Sequence, residues 1–377
     1  MKIGFDARCL EEEKISGVGE YALELLKNLL ETDKENEYIV FSNSFKQKAN
    51  RNFEWIKEYP NAKLKRFSLP NRILNFCFWY LNWPKIDKLV GGADVFFAPN
   101  LNFFPVSKKC RLAATFHDLS FERYPYFFPF KTRLWHELFV NPRKISHTAE
   151  KLIAVSQSTK KDLETIYKTT PGKISVVHHG ISGNFRIIDR NGPKLLDIQK
   201  KYNLPYKFIL YLGNVEPRKN IESVIAAYKD LVKKNKDLEK YELVLAGNIS
   251  PLCREMVERE NLKTCGYIER EDRPYVYNLA SLFVYPSFFE GFGLPVLEAM
   301  SSGTPVITSN NSSIPEVSGN AALFIDPNRP SQLSETMKNI LTDEKLYDKM
   351  KERGLKQSQK FSWKKCALES MPAFSGQ

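Results

Sequence analysis

The chain has 377 residues, 42% of them hydrophobic and 27% charged, with a formal net charge of +12. That length predicts two domains, and the composition excludes disordered and collagen-like chains. The excess charge is concentrated in the first half: residues 1–190 hold 30 Lys and Arg against 21 Asp and Glu, and residues 46–88 hold ten basic residues against three acidic ones. A basic half of this kind expects an anionic partner, whether nucleic acid, phospholipid or a phosphorylated substrate.

The six cysteines are scattered with no C-x-x-C pair, which argues against a zinc site or a disulfide framework. Met1-Lys2-Ile3-Gly4-Phe5-Asp6 enters a strand pattern at once, so no signal peptide is expected. The longest apolar run, 73–83, is about half the length of a membrane span. The expectation is a cytoplasmic, reduced protein.

In chain order, short β-branched or aromatic runs alternate with helical stretches, which predicts parallel sheets covered by helices. Strands are expected near 2–6, 37–42, 63–67, 94–98, 111–116, 151–155 and 174–178, with helices near 18–30, 72–89, 130–143 and 157–168. Gly180, Gly183, Asn191, Gly192, Pro193 and Pro205 then break the rhythm, so a domain boundary is drawn at 190/191. A second unit follows, with strands near 208–212, 241–246, 263–267, 281–285, 304–308 and 321–325. Its helices are expected near 220–235, 251–260, 274–280, 294–302, 331–341 and 344–354. Two doubly wound domains bind ligands at the carboxyl ends of their strands.

Four segments carry chemistry. In the strongest, Phe289-Glu290-Gly291-Phe292-Gly293-Leu294-Pro295 turns from strand 281–285 into a helix that carries Glu298. Gly291 and Gly293 let the backbone approach a ligand, Pro295 suits the first helical turn, and the helix start favours a diphosphate. Glu290 and Glu298 are expected to face the ligand, as carboxylates able to accept from sugar or ribose hydroxyls. In the second, Gly213-Asn214-Val215-Glu216-Pro217-Arg218-Lys219-Asn220 follows strand 208–212 and places two cations at its carboxyl end, suited to phosphate.

The third, Gly17-Val18-Gly19-Glu20-Tyr21-Ala22, fits the dinucleotide pattern G-x-G-x-x-A and admits a dehydrogenase or epimerase. Against that, ten residues separate Asp6 from Gly17, and no acid ends the second strand. The fourth, Thr115-Phe116-His117-Asp118, delivers a His-Asp pair to the carboxyl edge of the first sheet. The alternative reading of that pair is a structural hydrogen bond. No nucleic-acid motif accompanies the charge.

Together these segments resemble the retaining glycosyltransferases of family four, which have the GT-B fold of two Rossmann-like domains facing across a cleft. The resemblance covers nearly the whole chain, from the Gly17–Gly19 loop to Phe361-Ser362-Trp363, and looks like the bacterial mannosyltransferase-like branch that builds surface polysaccharides. It implies an N-terminal acceptor domain at 1–190, a nucleotide-sugar domain at 191–355 and a segment at 356–377 that packs back on the first.

It also implies roles. Glu290 contacts the transferred sugar, Glu298 the ribose hydroxyls, and Arg218 and Lys219 neutralise the diphosphate. His117 lies by the anomeric carbon. Backbone groups at Gly17, Gly19, Gly213, Phe292, Gly293 and Leu294 help hold the donor, and Tyr267 and Ile268 lie along the base. The implied reaction retains configuration by front-face attack and uses neither metal nor cofactor. Its donor is GDP-mannose or, second, a UDP-sugar, and its acceptor a glycan or polyprenyl-diphosphate-linked sugar. A nicotinamide-dependent sugar-nucleotide enzyme is the alternative.

Asp272-Arg273-Pro274 is more polar than the family's pattern, and the last helix is short. Finally, the basic stretch carries Phe67, Ile73, Leu74, Phe76, Phe78, Trp79, Tyr80 and Trp83, and 121–136 adds Phe121, Tyr124, Tyr126, Phe127, Phe128, Phe130 and Trp135. Cations beside aromatics predict docking on an anionic membrane, the alternative being that these rings are core.

Overall fold

The computed structural model describes residues 1–12, 14–45, 53–102, 104–189, 192–260 and 262–375. Part of the basic stretch (46–52), Asn191 and the final Gly376 and Gln377 lie outside the described residues. The chain divides into one unit of Met1–Gly180 with Ser362–Gln377 and a second of Ile181–Phe361. Residues just after Gly180 join the second unit because Phe185 is buried in its core, where Ser301 Oγ donates to the Phe185 carbonyl at 2.6 Å.

Among the described residues the first unit has seven parallel strands: β1 (Lys2–Asp6), β2 (Glu37–Asn43), β3 (Ala62–Phe67), β4 (Val95–Ala98), β5 (Arg111–Phe116), β6 (Lys151–Ala154) and β7 (Ile174–Val176), in the order β3-β2-β1-β4-β5-β6-β7. The central strands are apolar on both faces because helices cover both, and Val95–Ala98 is wholly buried. The edge strand β3 reads Ala-Lys-Leu-Lys-Arg-Phe and stays largely exposed, its charges guarding an open edge.

Helix Gly17–Thr32 is capped by Ser16, which accepts from Gly19 N–H, and buries Tyr21, Ala22, Leu25, Leu26, Leu29 and Leu30 on one side. Helix Trp363–Ser370 packs on it and returns the chain's end to this unit. At the point of return a Cβ on Gly180 would lie 2.0 Å from the Trp363 amide nitrogen, so the two backbones meet too closely for any side chain.

The second unit has six parallel strands among the described residues: β8 (Phe208–Leu212), β9 (Glu242–Ala246), β10 (Lys263–Gly266), β11 (Leu282–Tyr285), β12 (Val306–Ser309) and β13 (Leu323–Ile325), in the order β10-β9-β8-β11-β12-β13. Strand order reverses between β8 and β11, which opens a crevice at their carboxyl ends.

Two expected helices are interrupted. The stretch 72–89 forms helix Asn71–Phe76, a π turn Cys77–Leu81 and helix Ile86–Leu89, and 130–143 forms helix Phe130–Trp135, a π turn His136–Val140 and helix Pro142–Thr148. Asn82 and Asn141 close the π turns in the left-handed region. The cause is Pro84 and Pro142, which lack an N–H and disfavour helical backbone just before them.

Candidate active site

In the second unit, the turn after β11 and the loop after β8 meet at the strand-order reversal. Lys219 lies in the short 3-10 turn Pro217–Lys219, which ends at Asn220 in the left-handed region. Its Nζ lies 2.6 Å from Glu290 Oε1 and 2.7 Å from the Tyr285 hydroxyl, with both charged side chains about nine-tenths buried. Arg218 Nη1 donates to the Phe289 carbonyl at 2.6 Å and stands 3.6 Å from Glu290 Oε2, while Nη2 donates to Glu216 at 2.8 Å. Burial alone raises the Glu290 carboxyl, but Lys219, Arg218 and the hydrogen bonds outweigh it and hold the group below its usual range. Burial, with Arg218 nearby, pushes Lys219 down.

The turn itself is fixed from β12. Ser312 Oγ accepts from Glu290 N–H at 3.0 Å, and Ser313 Oγ donates to the carbonyls of Glu290 and Phe292, both at 2.9 Å. Gly293 sits at φ +104, where a Cβ would come within 2.7 Å of Ile314 Cδ1. Helix Leu294–Ser301 starts there with Pro295 in its first turn, leaving early N–H groups without intrahelical acceptors.

Glu298 is buried on this helix, with Oε2 accepting from Tyr277 at 2.8 Å and Oε1 3.7 Å from Arg273. The unusual Asp272-Arg273 pair thereby divides: Arg273 faces Glu298, and Asp272 takes Lys201 at 2.5 Å and the Tyr202 hydroxyl at 2.8 Å. Gly213 follows β8 and donates to the Ala246 carbonyl at 2.9 Å. Tyr267 lies just beyond β10. The Ile268 side chain is in the apolar core, so only its backbone is left for a ligand.

In the first unit, His117 follows β5. Nε2 lies 2.8 Å from the Pro99 carbonyl, an acceptor only, so the neutral ring carries its proton there and presents Nδ1 as an acceptor. Burial lowers this imidazole, against the pull of Pro99 and Asp118. Asp118 Oδ1 accepts from both the amide and the hydroxyl of Ser120, at 2.9 and 2.6 Å, and so braces the following turn. Tyr21 stands edge-on to His117 with ring centroids 4.9 Å apart and its hydroxyl 3.0 Å from Thr115 Oγ1. His179 stacks on Tyr21, with centroids 4.7 Å apart, and on Trp363 at 5.8 Å, and the three rings contact one another. Gly17 and Gly19 open the first helix: Gly17 faces open space, whereas a Cβ on Gly19 would meet Ile15 Cγ2 at 2.9 Å.

Tyr277, Tyr285, Ser312 and Ser313 were not singled out by the motifs. Tyr285 and the serine pair do lie at or beyond the carboxyl ends of β11 and β12, where the fold puts ligand groups. A further polar cavity of about 260 Å³ lies at the carboxyl ends of β1 and β2, lined by Asp6, Arg8, Asn43, Asn71, Asn100 and Asn102. Arg8 binds Asp6 there through Nε and Nη2, at 2.9 and 2.6 Å.

Residues 15–184 match glycosyltransferase family 4, and residues 196–357 match the glycosyl transferases group 1. The chain is 30% identical over 373 residues to the O-antigen chain mannosyltransferase B of Escherichia coli, covering 96% of each chain. The structure superposes on Anabaena HepE in complex with UDP and glucose with a TM-score of 0.73, at 16% identity over the whole of both chains. WaaG, a glycosyltransferase involved in lipopolysaccharide biosynthesis, gives a TM-score of 0.68 at 17% identity over 98% of each chain. The chain therefore belongs to the glycosyltransferases, and its two Rossmann-like units are those of the GT-B fold. It is an enzyme of glycosyl transfer, and the nicotinamide-dependent alternative is set aside.

Proposed function

We propose that this chain transfers mannose, with retention and without a metal ion, from GDP-mannose to a glycan or polyprenyl-diphosphate-linked sugar at the cytoplasmic face of an anionic membrane. The observation that carries the reading is the buried Glu290 with Lys219 at 2.6 Å and Arg218 at 3.6 Å, beside a helix start. Preorganised cations of this kind stabilise the charge that grows on a departing diphosphate. Glu290 is itself neutralised by both of them, which makes it a poor nucleophile. That favours front-face attack, with the leaving phosphate taking the acceptor's proton.

In this reading Glu298 accepts from the ribose hydroxyls, oriented by Tyr277. Backbone groups at Gly213, Phe292, Gly293 and Leu294 contribute to diphosphate and sugar binding, and Tyr267 with the Ile268 backbone follows the base. His117 accepts from a sugar hydroxyl through Nδ1, and the asparagine-lined cavity holds acceptor hydroxyls. Mannose is favoured by the name of the Escherichia coli relative, whereas the UDP and glucose bound by HepE keep a UDP-sugar as the second donor.

The test is proton NMR of product formed from GDP-α-mannose in the presence of a chelator. A new α-mannoside at the earliest time points supports the reading. A β-mannoside, or transfer from UDP-sugars alone, overturns it.

A further inference from the structure

The first unit carries two arms of the same build. Each opens after a proline, Pro70 or Pro129, runs as a six-residue α-helix and then a five-residue π turn, and closes on a left-handed Asn, Asn82 or Asn141. The alternative, that these side chains are core, holds for Leu74 and Phe78, which are buried and anchor the first arm. The outward side is the opposite. Ile73 is 61% exposed, Tyr80 68%, Trp83 65% and Phe130 71%, with Phe76, Trp135 and Leu138 also exposed. Ring contacts join the arms: Trp79 lies 4.8 Å from Phe139, which stacks on Trp135 at 4.5 Å. With Phe76 stacked on Tyr80 and Tyr80 beside Trp79, these contacts make a run of five rings across the two arms.

Charge decides what covers it. Segments 63–85 and 126–140 together hold seven Lys and Arg against a single acid, Glu137. Lys63 is taken by Glu37 at 2.6 Å and Arg66 by Glu11 at 3.0 Å. Arg72, Lys131 and Arg133 are exposed on the arms themselves. A second copy of this chain would bring like charge against like, which disfavours self-association. Exposed aromatic rings interleaved with cations instead match the headgroup zone of an anionic bilayer, where rings sit at the apolar boundary and cations meet phosphates.

We propose that the paired arms 71–83 and 130–140 form the surface by which this protein docks on an anionic phospholipid bilayer. The inference rests on the lipid-linked-acceptor reading for its purpose, and it gives that reading a location.

The experiment is co-sedimentation of the full chain with phosphatidylcholine vesicles, with and without phosphatidylglycerol, at low and high salt. Two variants accompany it: Arg72→Glu/Lys131→Glu/Arg133→Glu, and Tyr80→Ser/Trp83→Ser/Phe130→Ser, each checked for folding by circular dichroism. Wild type should pellet with the anionic vesicles at low salt only, and its tryptophan emission should be quenched by brominated acyl chains. Each cation near such a surface contributes roughly fivefold to partition, so the charge variant, which loses three cations and gains three acids, should lose about a hundredfold or more. The ring variant should lose quenching as well as binding.

Absence of pelleting at low salt, equal pelleting with neutral vesicles, or binding that neither variant weakens overturns the proposal. So does a dimer that buries the tryptophans and ignores vesicles. Release of nucleoside diphosphate from donor without vesicles should stay within about twofold in both variants, since rim charges act on encounter rather than on a remote site. Loss of that release would overturn the surface assignment, whereas a wild type that binds vesicles but turns over no nucleotide-sugar would sink the functional reading alone.

Discussion

Replacing Lys219 with Met removes the amine from a carboxylate that remains buried. Glu290 then keeps only Arg218, 3.6 Å away, in place of two cations. Breaking a buried pair by deleting one partner costs about 3–5 kcal/mol, and the surviving Arg218 puts this site near the lower end. For a unit of this size, about 3 kcal/mol corresponds to a fall in Tm of roughly 6–12 °C.

The pH dependence identifies the cause. Glu290's folded pKa is held below its ordinary 4.5, so its stabilising contribution is present above that value and is lost as pH falls through the folded one. Without Lys219 that contribution shrinks, because burial then weighs more heavily against the charged form. The Tm gap between wild type and Lys219→Met should therefore be widest near neutrality and close below about pH 4.5. Calorimetry of wild type, Lys219→Met, Glu290→Gln and the double variant across pH 4–8 measures both effects, and the double variant should recover much of the loss. A gap below about 1 kcal/mol, or one that is flat with pH, would refute the argument that the lysine's main partner is this carboxylate.

Two further outcomes follow from the same unit. Glu298→Ala should weaken binding of free nucleoside diphosphate about tenfold to a hundredfold by titration calorimetry, as expected for a lost charged acceptor. Tyr277→Phe should produce a smaller loss in the same direction, and unchanged affinity in folded Glu298→Ala removes that residue from the site. Gly293→Ala should cost about 1–3 kcal/mol of stability through its positive φ alone. Ile314→Val should restore only the part due to the 2.7 Å contact, and full restoration would show that backbone strain is absent.

Much of this is legible in the sequence. The apolar runs of β8 and β11 and the Pro-Arg-Lys and Glu-Gly-Phe-Gly segments directly after them located the second crevice, because parallel strands end where loops hold ligands. The pairings inside the crevice were not legible. Lys219 and Glu290 are 71 residues apart, and the motif pointed the two cations to phosphate without pointing to this carboxylate. Tyr277 reaches Glu298 from a neighbouring helix, and no spacing rule links them.

Asp118 illustrates a local effect of the same kind. Its Oδ1 accepts from the amide and hydroxyl of Ser120, two residues on, and so braces that turn, while its charge still acts on His117. The interrupted arms were signalled by Pro84 and Pro142, which a purely apolar reading of 72–89 and 130–143 passed over. The resemblance implied that 356–377 packs back on the first domain, but no spacing rule linked helix Trp363–Ser370 to helix Gly17–Thr32 in particular.

The central claim is that the Glu290–Lys219–Arg218 cluster serves a metal-independent sugar donor, and release of nucleoside diphosphate by chelator-treated protein tests it most directly. A panel of nucleotide-sugars without acceptor should give slow release, fastest from GDP-mannose. Lys219→Met should lower that release at saturating donor by about tenfold or more, because the positive charge matters most as the phosphate departs. No release from any nucleotide-sugar, or release that appears only when a divalent metal is restored, would contradict the account.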